Sequence, residues 1–304
     1  MLRWLRIPGG SVIYSVVCTN VNDYINWQCE LLEYTWKRAK QPGSLIRLVN
    51  CREDTRLPEH RHARVVRVGS PRKRTRRYIA YERLFALQDW LRREQPEGSV
   101  LILDPDCVFR RPVETEVAPG APTAQHWVDF ESTGRVWTYR RWPWSRKRNV
   151  VDALYDLDRG QLQAATWPAL IHTRDLERIL PAWIEATRVI RAATGRWASD
   201  MLGFVIAAAE SGLRFSLDAI GAFVKWPDEL VGEAPIVHYC QDVYATDGSL
   251  LWAKRTYLPW EAVVGSEQAH HSYCRDLLAI LNEYAALRRH DEDASGSDMT
   301  GSAG

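Results

Sequence analysis

Asp104 and Asp106 follow directly on an apolar run in the stretch SVLILDPDCVF. Residues 100–103 are typical of a short buried strand, and in open α/β sheets ligands lie beyond the carboxyl ends of the strands. Two carboxylates one residue apart at that place can hold Mg²⁺ or Mn²⁺ together with the phosphate oxygens of a substrate. A metal held there would neutralise the charge that develops on a departing diphosphate. The alternative is a turn with two solvated aspartates.

A histidine and a lysine far along the chain could complete such a site. His238 lies in the apolar run PIVHY. Neutral imidazole suits Mn²⁺, so we predict His238 as the third metal ligand, with a structural histidine as the alternative. Lys254 comes shortly after it, and its ammonium could hold a diphosphate as a point charge. A solvated surface lysine is the alternative there.

A third carboxylate, Asp200, lies near the start of an apolar helix in RWASDMLGFVIAAAESG. A negative charge in the first turn of a helix is stabilised by the helix dipole, which is the structural interpretation. The functional interpretation is a carboxylate that faces the anomeric carbon of a bound sugar and stabilises an oxocarbenium-like centre.

The elements that must position these residues alternate between strands and helices. Apolar runs predict strands at residues 12–18, 45–49, 65–68, 100–103, 169–172 and 235–239. Helical spacing of apolar residues predicts helices at 26–38, 78–93, 174–193, 198–211 and 273–289. Such alternation favours the α/β class, with a mostly parallel sheet that is flanked by helices.

Length and composition fit a globular protein with one large α/β domain or two small ones. The chain has 304 residues, of which 46% are hydrophobic, and its net charge of +2 gives no global field for nucleic acid or anionic membrane. Residues 291–304 are acidic and then rich in Gly and Ser, so we expect a disordered tail. The six scattered cysteines form no CxxC pair, and we find neither a secretory signal nor a membrane span, so we expect a cytoplasmic protein.

Basic residues are nevertheless clustered at two places, between Arg67 and Arg77 and between Arg140 and Arg148. The second cluster is interleaved with Trp142 and Trp144, a pattern that can bind nucleic acid. Because the net charge is nearly balanced, we favour solvated or substrate-contacting loops. The regular pattern is weakest around residues 113–165, and we expect this variable region to shape an acceptor site.

Several segments resemble one family in order along the chain. The pairing of Trp27-Gln28 with KRAKQPGSLIRLVNC, then LILDPDCVFRRP, RWASDMLGFVIAAAESGL and PIVHYCQDV, is similar to the plant peptidyl serine α-galactosyltransferases and, less closely, to the related hydroxyproline O-arabinosyltransferases. The matches run from about residue 12 to 260 and fail in the variable region. The resemblance implies a GT-A fold that forms one domain over residues 1–290, a UDP-sugar donor and transfer with retention at the anomeric carbon.

The resemblance also implies roles for single residues. Asp104 and Asp106 would bind metal and diphosphate, and His238 would complete the metal shell. Thr19 would lie where the nucleotide rests, and Arg83 occupies a basic position that fits donor binding.

The catalytic position falls on Asp200, where relatives often carry Glu. The sequence thus predicts a metal-dependent, retaining glycosyltransferase that moves galactose or arabinofuranose to a Ser or hydroxyproline hydroxyl of a peptide or peptide-like acceptor. Three alternatives stay open: a nucleotide-sugar hydrolase, a glycosyltransferase acting on a small natural product, and a non-enzymatic nucleic-acid binder.

Overall fold

The computed structural model describes residues 12–69, 80–127, 155, 162–217, 220–223, 228 and 233–298. The strands are β1 (Ile13–Thr19), β2 (Ser44–Asn50), β3 (Ala63–Val68), β4 (Ser99–Leu103), β5 (Cys107–Phe109), β6 (Thr123–His126), β7 (Ala165–His172), β8 (Gly221–Phe223), β9 (Ile236–His238), β10 (Val243–Tyr244) and β11 (Leu250–Trp252). The α-helices are α1 (Asp23–Arg38), α2 (Ala80–Glu94), α3 (Thr173–Thr194), α4 (Ser199–Glu210) and α5 (Ser272–Asp298).

The largest sheet has six strands in the order β3-β2-β1-β4-β7-β6. Its first four strands are parallel, whereas β7 is antiparallel to β4 and β6 is antiparallel to β7. Strand β4 is apolar apart from Ser99, and both β2 and β4 are almost fully buried, as expected for parallel strands that are covered on both faces. The predicted α/β class with a mostly parallel sheet is confirmed.

Helix ends in the described residues follow local capping chemistry. The side chain of Asn22 accepts a hydrogen bond of 2.8 Å from the Ile25 amide, so α1 begins at Asp23, three residues before the predicted start. Helix α3 ends at Gly195, whose φ of 66° is left-handed. Among the described helices, none is long and apolar enough to cross a membrane.

The residue contacts divide the chain into two compact units. Unit 1 comprises Met1–Val21, Pro42–Leu103 and Glu114–Asp218, and unit 2 comprises Asn22–Gln41, Asp104–Val113 and Ala219–Gly304. The prediction of one domain over residues 1–290 stays a prediction. Helix α5 continues to Asp298, so the expected disorder from residue 291 differs from the structure over 291–298. Residues 299–304 lie outside the described residues.

Each unit has its own apolar core. In unit 1 the six-stranded sheet packs with α2, α3 and α4 around large buried side chains such as Trp90, Trp183 and Phe204. Unit 2 contains a small sheet in the order β5-β9-β8, the β10–β11 hairpin, α1 and α5. Its core includes an aromatic group around Trp27, with Tyr239 stacked at a centroid distance of 6.1 Å.

The contact between α3 and α4 depends on the absence of a side chain at Gly203. A Cβ at this position would clash with the Thr187 hydroxyl and lie 2.9 Å from the Thr187 amide nitrogen. Overpacking of this kind costs about 1–3 kcal/mol, and a helix backbone cannot move aside as a flexible side chain can. We therefore expect Gly203→Ala to lower the melting temperature, although alanine favours a helix by about 1 kcal/mol over glycine.

Gly69→Ala is the matched control, since the nearest atom to its Cβ is an Asp89 carboxylate oxygen at 3.8 Å. We expect a melting temperature near that of the wild type for this variant. Equal melting temperatures for Gly203→Ala and the wild type would contradict the close approach of the two helices.

Candidate functional site

Asp104, Asp106 and His238 come together in unit 2, as the sequence predicts. The His238 Nε2 atom lies 3.5 Å from Asp104 Oδ2 and 3.2 Å from Asp106 Oδ1. One potential ligand atom from each residue lies within 4.8 Å of the others. Lys254 joins them, because its ammonium is in direct contact with Asp106 Oδ2. These four residues form what we call the acidic cluster.

Backbone pairing positions the acidic cluster. Asp104 follows β4 in the chain, and three residues later Cys107 begins β5, which pairs with β9 in antiparallel register so that Cys107 lies opposite His238. The amide of Tyr239 also donates a hydrogen bond of 2.9 Å to the carbonyl of Asp106. The spacing between the aspartates and the histidine is therefore set by a strand ladder in unit 2.

Electrostatics keep Asp106 ionised. Burial alone would raise the pKa of this carboxyl, but the charges and hydrogen bonds of His238 and Lys254 lower it well below its ordinary value. Burial likewise works against the charged form of Lys254, yet its pKa is raised because Asp106 lies beside it. The Lys254 ammonium also lies 5.9 Å from the ring centroid of Tyr239.

The donor set of the acidic cluster fits a hard divalent cation. Two carboxylates and one imidazole offer oxygen and nitrogen ligands of the kind that Mn²⁺ and Mg²⁺ accept. Asp106 and His238 are 7% and 5% exposed, so two of the three donors are already withdrawn from bulk water. Among the described residues, this is the one group of His, Cys, Asp and Glu side chains that is close enough together to hold a metal.

Asp200 and Arg83 meet in unit 1. Asp200 lies in the first turn of α4 and is 4% exposed. The Arg83 NH1 atom lies 3.5 Å from Asp200 Oδ2, and the guanidinium carbon lies 4.4 Å from the centroid of the Trp167 ring. The Asp200 carbonyl accepts a hydrogen bond of 2.7 Å from the Trp183 indole. The sequence predicts both charged residues but not their ion pair, nor the tryptophan beneath it.

Thr19 ends β1, also in unit 1, and its hydroxyl accepts a hydrogen bond of 2.9 Å from Nε of Arg47. Sequence reasoning missed Arg47. The signal that could have found it is a single charged residue at the centre of the otherwise apolar strand sequence SLIRLVN.

Two further predictions fall mainly on residues that the structure does not describe. In the first basic cluster Arg67 donates to the carbonyls of Arg52 and Thr55, the latter over 2.7 Å, whereas residues 72–77 lie outside the described residues. The whole second cluster, 140–148, lies outside them too. Of the variable region, only residues 113–127, 155 and 162–165 are described.

A family model and single known proteins both match the sequence of this chain. The model of the hydroxyproline O-arabinosyltransferase family N-terminal domain matches residues 14–217. A hydroxyproline O-arabinosyltransferase of Pisum sativum is 25% identical over 76% of this chain and 70% of its own length. A peptidyl serine α-galactosyltransferase of Arabidopsis thaliana is 24% identical over 68% of this chain. The match spans 27% of that second relative's length.

Comparisons with solved structures show the fold. The galactosyltransferase LgtC, solved in complex with donor and acceptor sugar analogs, has a TM-score of 0.50 at 14% identity and aligns over 88% of this chain and 96% of its own. The bifunctional glycosyltransferase WbbM has a TM-score of 0.51 at 11% identity, over 90% of this chain and 50% of its own. The fold is the GT-A fold that the sequence predicts.

Proposed function

Because the chain belongs to the hydroxyproline O-arabinosyltransferase family and is a glycosyltransferase, we propose that it transfers a sugar from a UDP-sugar donor to a hydroxyl group of a peptide or peptide-like acceptor. The relatives are named for transfer to hydroxyproline and to peptidyl serine. Their names support galactose or arabinofuranose as the sugar and Ser or hydroxyproline as the acceptor residue.

The observation that carries the metal-dependent part of this proposal is the acidic cluster. Asp104, Asp106 and His238 would hold Mn²⁺ or Mg²⁺, whose charge would stabilise the leaving diphosphate. Asp106 is held ionised by its surroundings, so it is ready to act as a ligand at neutral pH. Lys254 carries a positive charge beside Asp106, and its ammonium would bind diphosphate oxygens as a point charge.

The residue that we propose to act on the sugar is Asp200. Its buried side chain lies beside a guanidinium, with 3.5 Å between Arg83 NH1 and Asp200 Oδ2. A fixed negative charge stabilises positive charge at an anomeric carbon as the leaving group departs. Together with the family resemblance, this supports retention of configuration.

Cytoplasmic location stays a prediction.

Binding of the donor tests the proposal first. We expect one of UDP-galactose, UDP-arabinofuranose or a related UDP-sugar to raise the melting temperature in the presence of Mn²⁺, and to do so less with EDTA. Product analysis with a Ser- or hydroxyproline-containing peptide should then show a glycosylated peptide. Free sugar at the same rate with and without peptide would instead indicate a nucleotide-sugar hydrolase. No stabilisation by any nucleotide sugar would contradict the donor assignment.

His238→Ala tests the third metal ligand. Loss of the imidazole removes one of three donors while Asp104 and Asp106 remain, so we expect Mn²⁺ affinity to fall by at least about 10–100-fold, the range that loss of a supporting group already causes. The measurement is calorimetric titration of Mn²⁺ into the protein without donor. The control is His126→Ala, since His126 is exposed at the end of β6 in unit 1. An unchanged Mn²⁺ affinity in His238→Ala would make His238 a structural residue.

A further inference from the structure

Arg47 is a buried charge in the middle of a parallel strand. It belongs to β2, it is 1% exposed, and both its neighbours in the strand, Ile46 and Leu48, are completely buried. Removing a guanidinium from water has a large desolvation cost, which only good hydrogen bonds can offset. An apolar residue would give this strand the same burial without that cost. The arginine therefore calls for a role beyond filling the core.

The Arg47 guanidinium contacts the end of β1 and the segment that follows β2, both at the carboxyl ends of parallel strands. Arg47 pairs with Val17 in the β1–β2 register, and Thr19 follows Val17 by two residues. The side chains of Arg47 and Thr19 therefore lie on the same face of the sheet, and Arg47 extends toward the carboxyl end of β1. Its Nε donates to the Thr19 hydroxyl over 2.9 Å and its NH2 to the Asn20 carbonyl over 3.2 Å. Its NH1 lies 2.8 Å from Nε2 of His60, in the segment that follows β2.

The contact with His60 also has a defined direction. Arginine has no acceptor, so the guanidinium must donate and Nε2 of His60 must accept. One side chain thus fixes a hydroxyl and a carbonyl where β1 ends, and an imidazole in the segment after β2. Both segments start at carboxyl ends of parallel strands, where α/β sheets bind their ligands.

We infer that Arg47 is a positioning residue for the donor nucleotide. Arg47 touches no substrate itself. It fixes the conformation of Thr19, of Asn20 and of the segment that carries His60 before the donor binds. Groups that are already fixed lose less conformational freedom on binding, which increases affinity. The inference rests on the proposed function, because it takes Thr19 as part of the donor site. Arg47 is thereby expected to affect donor affinity and to leave the rate of the chemical step unchanged.

The test compares Arg47→Lys with the wild type. Lysine keeps the positive charge but has a single ammonium, which cannot hold three separate acceptors in a fixed plane. We expect UDP affinity in the presence of Mn²⁺ to fall by about 10-fold, the size of the cost of ordering roughly one or two flexible groups on binding. The KM for the donor should rise, while kcat at saturating donor and the affinity for Mn²⁺ alone stay near the wild-type values. Calorimetry and steady-state kinetics measure these quantities.

Controls separate positioning from simple loss of stability. Ile46→Val removes one buried methylene from the same strand without touching Thr19 or His60, and it should leave UDP affinity unchanged. His60→Ala removes one acceptor of the guanidinium that is not itself assigned to the donor site, and it should weaken UDP binding less than Arg47→Lys does. If Arg47→Lys does not fold, His60→Ala decides the question.

Wild-type UDP affinity in a folded Arg47→Lys variant, or in His60→Ala where Arg47→Lys does not fold, would overturn the inference and leave the proposed function intact. Failure of the wild type itself to bind UDP or any UDP-sugar would overturn both.

Discussion

Asp106→Asn is expected to reduce the rate of sugar transfer by at least about 10³-fold, to the background of the assay, and Asp104→Ala to do the same. Loss of one strong electrostatic stabiliser costs about 10²–10³-fold, and Asp106 has two roles, as a metal ligand and as the partner of Lys254. Asparagine keeps the volume of the side chain but removes its charge. The amide oxygen of asparagine can still accept a hydrogen bond from the Lys254 ammonium, whereas alanine would remove that acceptor altogether, so the asparagine variant is the cleaner test.

The assay needs a metal series and a stability measurement. Turnover should be followed across Mn²⁺ concentrations at a temperature well below the melting point of each variant, because excess metal would rescue a merely weakened site. Asp247→Asn is the matched control: Asp247 lies in the β10–β11 turn of the same unit, where its carboxylate accepts from Ser249. Turnover near the wild-type rate in either Asp104→Ala or Asp106→Asn would remove the claim of a metal site.

Asp200→Asn is expected to lower kcat by roughly 10²–10³-fold with little change in donor affinity. Asparagine keeps the size and the hydrogen-bonding capacity of aspartate but cannot stabilise positive charge at the anomeric carbon. Because this stabilisation belongs to the transition state, the loss should fall on kcat. The variant also leaves Arg83 without its counter-charge in a buried setting, so we expect a lower melting temperature as well.

Glu185→Gln is the control for loss of a paired carboxylate in unit 1, since Glu185 is ion-paired with Arg188 on the exposed face of α3. It should change neither kcat nor donor affinity.

Proton NMR of the first product formed from a UDP-α-sugar tests retention separately and should show an α linkage. A β product, or an Asp200→Asn variant with unchanged kcat, would remove Asp200 from the reaction.

The sequence predicts the main elements of the fold well, because these elements carry strong periodic patterns. The strands of the parallel part of the sheet are rich in apolar residues, and their predicted bounds lie within a few residues of the observed ones. Strands β5, β6, β8, β10 and β11 were missed, since they are two to four residues long and too short to show a period. Their formation depends on tertiary pairing, which local sequence does not encode.

The candidate site was predictable residue by residue but not as a set of contacts. The position of Asp106 beyond a strand and of His238 at the end of another could be inferred, yet their meeting depends on the β5–β9 ladder. The ion pair of Asp200 with Arg83 joins α4 to α2, and no spacing rule relates them. Arg47 was overlooked because an isolated basic residue in a strand is most simply interpreted as an exposed one.

The contact between Lys254 and Asp106 spans 148 residues of chain. Unit 2 is assembled from three separate stretches of sequence, with stretches of unit 1 between them. During synthesis from the amino terminus, Asp104 and Asp106 therefore leave the ribosome long before the strand and the lysine that complete their surroundings. The parallel strands β1 to β4 are all available early. The acidic cluster can therefore form only after Lys254 has been synthesised, and a truncated chain that ends before β9 would keep the two aspartates but lack His238 and Lys254.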